Sequence, residues 1–131
     1  MNYIAVAIGG FFGAVIRDLI GKIIVANIFP VGTLTINLLG SFFLLFLTTI
    51  FLEKVNISDT VRLGITSGFL GAFTTFSTLA KETYVLLTQG KFFVGFGYIV
   101  LSLGGGFFTG ILGRALALYL ANLNINVKDE G

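Results

Sequence analysis

The chain has 131 residues, of which 56% are apolar and only 11% charged, and its mean hydropathy is +1.01. Soluble domains carry roughly a quarter charged residues, so lipid is the solvent this composition fits. With no His and no Cys, the commonest acid–base groups, thiol nucleophiles and transition-metal ligands are missing. Disulfide frameworks are excluded, and a formal net charge of +2 is too small and too scattered for a nucleic-acid partner.

Uncharged runs define the organisation as one small all-α membrane domain. Residues 1–16 carry no ionised side chain and end at Arg17; the next runs are 23–52, 63–80 between Arg62 and Lys81, and 92–113 between Lys91 and Arg114. A membrane-spanning helix needs about 20 mostly apolar residues. Four spans are therefore predicted, near 3–25, 31–53, 61–88 and 92–121, followed by a polar, frayed tail over 122–131. The run 23–52 would make ~45 Å of helix, more than the hydrocarbon needs, and Pro30 divides it between the end of span one with its turn and the start of span two. A cleaved signal peptide would place basic residues before its apolar run. Here Arg17 follows it, so the first segment reads as a retained span.

With four spans, Lys54, Arg62 and Lys128 fall on one side of the membrane and Lys22, Lys81 and Lys91 on the other. Positive charge near span ends sets orientation, and three against three leaves no clear bias. The balance allows insertion both ways round, and hence an antiparallel dimer, unless the depth of Arg17 or Arg114 breaks the tie.

Small residues recur at four-residue spacing in Gly9/Gly13, Gly64/Gly68 and Gly106/Gly110. Such pairs let helix backbones approach closely and point to a tight bundle or oligomer. Polar residues in lipid are costly unless paired, which gives theirs more weight. Thr33, Asn37 and Ser41 share one face of span two, as interhelical hydrogen-bond formers or as donors lining a pore. Span three carries Gly71-Ala72-Phe73-Thr74-Thr75-Phe76-Ser77-Thr78. Its hydroxyls can bond back to the preceding turn, but two β-branched residues after a glycine weaken the helix, and a break is expected near Gly71–Phe76. Carbonyls freed by a break would suit a hard cation, and freed helix N-termini an anion. Arg17 is a candidate for a pore vestibule, Arg114 snorkels to the headgroups, and Lys81–Glu82 reads as a solvated or mutually paired couple.

The strings GGFFGAVIRD (9–18), GTLTINLLGSF (32–42) and GFLGAFTTFST (68–78), in this order and spacing, resemble the small bacterial fluoride channels of the Fluc/CrcB family. The resemblance runs through the first three spans, and the glycine-rich fourth fits it. It implies an antiparallel, dual-topology homodimer in the cell membrane, with two fluoride pores along the interface that let fluoride leave the cell passively. It assigns Asn37 and Phe76 to the pore lining, Ser77 and Thr78 to a polar track, Thr33 to the position one turn before the Asn, and Arg17 to the span-one arginine. It also implies a structural Na⁺ on the two-fold axis, held by the backbone carbonyls of Gly71 and Thr74 from each subunit. One position departs: Leu79 stands where family members commonly have a second pore Phe. Either one ring and an aliphatic contact suffice, or this subunit pairs with a homologous subunit that supplies the ring.

The chemistry is compatible with that resemblance. Fluoride holds water tightly, so a pore must replace its water with donors such as the Asn37 amide and Ser or Thr hydroxyls, and Phe rings offer positive edges. A four-span proton-coupled drug exporter would need an interior carboxylate, and none lies deep within a span. An intramembrane enzyme lacks its nucleophile–base pair, metal ligands or paired carboxylates. A non-conducting assembly protein is the plainer alternative, in which the polar residues serve only to join helices.

Overall fold

A computed structural model describes residues 2–24 and 29–129, with side chains described through Leu123. All regular structure among these residues is helical. Helix α1 (Asn2–Ile23) and helix α2 (Val31–Glu53) are the first two spans, and the expected end of span one at Val25 lies outside the described residues. The third span runs from Asp59 to Thr88. It comprises α3 (Asp59–Leu63), a π-helical stretch Gly64–Leu70, α4 (Gly71–Phe73) and α5 (Phe76–Thr88). Helix α6 (Phe92–Asp129) is the fourth. The four spans are long and apolar enough to cross a bilayer. Helix α6 runs past Ala121, so the segment expected to fray continues as helix to Asp129.

Local chemistry explains the boundaries. Pro30 precedes α2, where a residue with no N–H to donate costs nothing, and Ser58 caps α3 by accepting the Val61 N–H. Gly90, with φ of 75°, turns the chain between α5 and α6; only glycine takes this backbone region without strain. Thr74 and Thr75 are extended, with ψ of 153° and 118°, and interrupt the third span. Thr75 caps the resumed helix, its hydroxyl accepting the Thr78 N–H at 3.2 Å.

Glycine seams hold the bundle. A Cβ on Gly9 would overlap the Gly64 carbonyl, one on Gly13 the Phe69 carbonyl, and one on Gly68 would lie 2.6 Å from the Val6 carbonyl oxygen. Helix α1 thus lies backbone to backbone on the π-helical stretch. On the other side, α2 packs along α6, where Gly113 meets the Phe42 carbonyl and Gly110 receives Leu45. The expected GxxxG pairs are packing faces, joined by Gly113. The small core is Leu79, Leu86 and Tyr98, with Phe29, Leu34 and Val94 against it. The Tyr98 ring meets Phe29 edge-on at 5.5 Å.

Candidate functional site

The interruption at Thr74–Thr75 is held by a residue from another span. Asn37, on α2, donates from Nδ2 to the Thr75 carbonyl at 3.0 Å and accepts the Thr75 N–H on Oδ1 at 2.8 Å. The side-chain amide thereby replaces the backbone partner that an extended residue lacks at membrane depth. One Nδ2–H is left, because a primary amide has two donors.

Helical hydrogen bonding around the interruption is redistributed residue by residue. The Thr75 N–H, which a continuous helix would give to Gly71, goes to Asn37. The Thr78 N–H, which would reach Thr74, goes to the Thr75 hydroxyl. The Ala72 carbonyl accepts from Arg17 Nη1 at 2.9 Å, so this half-buried arginine closes the end of α4, where a cation also complements the helix dipole. Thr74 turns inward, its N–H and hydroxyl both donating to the Leu70 carbonyl at 3.0 Å. The carbonyls of Gly71 and Thr74 have thus lost their usual helical donors. Such oxygens suit a hard cation, so the residues fit the Na⁺ that the family resemblance implies. Among the described residues, no cluster of His, Cys, Asp or Glu could hold a metal.

Two cavities flank this arrangement. The central one, about 230 Å³, is lined by Asn37, Ser41, Thr75, Phe76, Leu79 and Ser102 among others. Phe76 is 75% exposed on the chain's outer face, whereas Leu79 is buried in the core. The position that departs from the family pattern therefore contributes an aliphatic wall to the cavity. The second cavity, about 570 Å³, is a mouth rimmed by Lys81, Glu82 and Lys91 and reaching Thr33 and Thr78. Thr33 and Asn37 are one helical turn apart, about 6 Å along α2, so the mouth and the central cavity are successive along one polar face.

Sequence reasoning missed part of this mouth. Glu82 is half-buried and not paired with Lys81: it accepts the Thr33 hydroxyl on Oε1 at 2.9 Å and the Tyr98 hydroxyl on Oε2 at 2.6 Å. A charge-assisted bond to the fully buried Tyr98 explains how a carboxylate is tolerated here. Ser102, also on α6, escaped notice because nothing marks a lone helical serine. Of the residues expected at the site, Asn37 and Phe76 share the central cavity and Thr33 and Thr78 the mouth. Ser77 is exposed beside them, its hydroxyl 3.3 Å from that of Thr75.

A family model described as CrcB-like protein, Camphor Resistance (CrcB), matches residues 4–114. The chain belongs to the CrcB-like family. It is 65% identical to the fluoride-specific ion channel FluC 2 of Carboxydothermus hydrogenoformans, over the whole of both chains. It is 48% identical to FluC 1 of Desulfitobacterium hafniense, covering 78% of this chain and 90% of that one. With the fluoride-specific ion channel FluC of Desulfotalea psychrophila the identity is 44%, over 81% and 84%. These CrcB-like relatives and the four spans make the chain a multi-pass bacterial membrane protein.

Proposed function

We propose that the chain is a fluoride-specific channel, through which fluoride leaves the bacterial cell down its gradient. The observation that carries the reading is the Asn37–Thr75 clamp beside Phe76 and the central cavity, in a chain so similar to relatives named as fluoride channels. A fluoride ion entering at the lysine-rimmed mouth exchanges water for the hydroxyl of Thr78, while Thr33 keeps its one hydrogen on Glu82. It then reaches the level of Asn37, whose second Nδ2–H is free to donate, and the edge of the Phe76 ring, which is positive. The N-terminus of α5 begins at Phe76, so the first N–H groups of that helix add a positive end there. Donors fixed before the ion arrives favour a small, strongly hydrated anion over chloride by geometry. No proton-carrying carboxylate lines the central cavity, which is consistent with passive flow rather than exchange.

The working unit in this reading is an antiparallel, dual-topology homodimer. The outward Phe76, at 75% exposure, and the other apolar side chains exposed on the helix surfaces would be shared between a partner copy and lipid. The interruption of the third span would meet its counterpart at the two-fold axis, where the Gly71 and Thr74 carbonyls of both copies would hold Na⁺ as a hard cation. Its role there is structural.

The test is fluoride efflux from liposomes holding this protein alone in Na⁺ buffer, read with a fluoride electrode beside a chloride control. Rapid efflux of fluoride only is the expected result and shows that Leu79 is tolerated in a homodimer. No efflux from well-folded protein, followed by efflux after addition of a homologous subunit, would replace the homodimer by a heterodimer. No efflux in either case would refute the channel.

A further inference from the structure

Arg17 carries a charge that the fold does not neutralise. It is half-buried, and no carboxylate pairs with it among the described residues: Asp18 beside it bonds Lys22 at 2.6 Å, and Asp59 bonds Arg62. Its guanidinium donates instead to the Ala72 carbonyl at 2.9 Å. Arginine stays protonated in proteins, so a permanent positive charge stands against the end of α4. The carbonyl it takes belongs to the set that the interruption frees. In a continuous helix the carbonyls of Gly71, Ala72 and Thr74 would receive the N–H groups of Thr75, Phe76 and Thr78. The first and last of these N–H groups are turned elsewhere, and α5 begins at Phe76. Arg17 thus occupies the Ala72 oxygen and leaves those of Gly71 and Thr74. Gly71 is exposed and Thr74 half-buried, so neither residue is sealed inside its own subunit.

We propose that Arg17 decides which cation the Gly71 and Thr74 carbonyls accept, restricting them to a monovalent ion. The inference rests on the Na⁺ reading above and adds to it a positioning residue, one that acts through the Ala72 carbonyl and through its own field. Ligand number is the first part of the argument. Two carbonyls from each copy of an antiparallel dimer make four, whereas Ca²⁺ takes about six to eight oxygens. Free Ala72 carbonyls would bring that number within reach, and Arg17 withholds them. Charge is the second part. Repulsion by the guanidinium grows in proportion to the charge of the ion, so a divalent cation meets twice the opposition that a monovalent one does. Carbonyls are neutral, and no Asp or Glu occurs from Gly64 to Lys81 to offset it. A monovalent ion needs fewer oxygens and meets half the repulsion, and both terms favour it.

The experiment follows thermal unfolding of the full chain in detergent while NaCl or CaCl₂ is titrated in, with N-methylglucamine chloride holding ionic strength constant. An ion that binds only the folded protein raises the unfolding temperature by mass action. Wild type should respond to Na⁺ and stay unmoved by Ca²⁺ at about tenfold the half-maximal Na⁺ concentration. Arg17→Met, which removes charge and donor, should respond to Ca²⁺ within that range, and so should Arg17→Gln, which removes the charge but keeps an amide donor. Arg17→Lys keeps the charge and should restore the wild-type pattern. A stabilising effect of Ca²⁺ on wild type overturns the proposal, and that titration needs no variant to fold. So does a lower unfolding temperature in Arg17→Met or Arg17→Gln with the response still confined to Na⁺, which is what a purely structural arginine would give. A wild type indifferent to Na⁺ refutes the Na⁺ reading itself, an outcome distinct from either of these.

Discussion

Removing the side chain of Asn37 tests whether one residue holds the interrupted span. Its two bonds to Thr75, at 3.0 and 2.8 Å, satisfy an N–H and a carbonyl of a residue only 7% exposed. Each buried backbone group left unpaired costs about 1–3 kcal/mol, so Asn37→Ala is expected to destabilise the fold by about 2–6 kcal/mol. That is a large part of the 5–15 kcal/mol typical of a domain. Asn37→Asp keeps the acceptor for the Thr75 N–H and loses only the donor to the carbonyl, so its cost is about half, ~1–3 kcal/mol. The assay is equilibrium unfolding in detergent with the dimer followed by gel filtration, alongside liposome efflux. The aspartate variant should still assemble yet pass no fluoride, because it loses both the last free amide hydrogen and the neutral lining. The order wild type, Asp, Ala in stability is the decisive outcome. An alanine variant as stable as wild type would show that the interruption is held by something other than this clamp.

Phe76→Ile should abolish fluoride efflux with little change in unfolding, within about 0.5 kcal/mol, because the ring is mostly outside the chain's own core; full flux would remove it from the pore. Gly13→Ala places a methyl group on the Phe69 carbonyl, where only backbone stands in the way, and should cost about 1–3 kcal/mol by the same unfolding measurement. An unchanged midpoint would mean that α1 can shift off its neighbour. Replacing Na⁺ by N-methylglucamine on both sides should weaken the dimer, seen as dissociation on gel filtration at protein concentrations where the Na⁺ form stays paired.

Much of the architecture is legible from charge placement alone. The gaps between Arg17, Lys22, Arg62, Lys81, Lys91 and Arg114 bound the apolar runs that become spans, and Pro30 stands where α2 begins. Periodicity placed Thr33, Asn37 and Ser41 on one helix face because α2 is regular throughout. Pairings between distant residues were beyond such reading. Thr33 and Glu82 are 49 positions apart, Arg17 and Ala72 are 55 apart, and neither spacing leaves a periodic trace. Glu82 looked like half of a local pair with Lys81 because sequence shows neighbours and hides the Tyr98 hydroxyl one helix away. The π-helical geometry of Gly64–Leu70 was equally hidden, since that stretch is pressed against the backbone of α1 rather than dictated by its own side chains.

The glycine seams have a consequence for how an ion would be received. Where peptide groups meet peptide groups with no side chain between them, there is no rotamer to turn and no soft layer to slide. Helix α1 is locked to the first half of the third span, α2 meets α6 backbone to backbone at Gly113 and Phe42, and the Asn37 clamp joins the two assemblies. The polar groups around the central cavity are thereby set in place during folding, so an arriving ion meets dipoles that need not reorient. In the channel proposed above, selection by such a frame would be a property of its resting shape, because the backbone behind the wall has no room to step back for a larger halide.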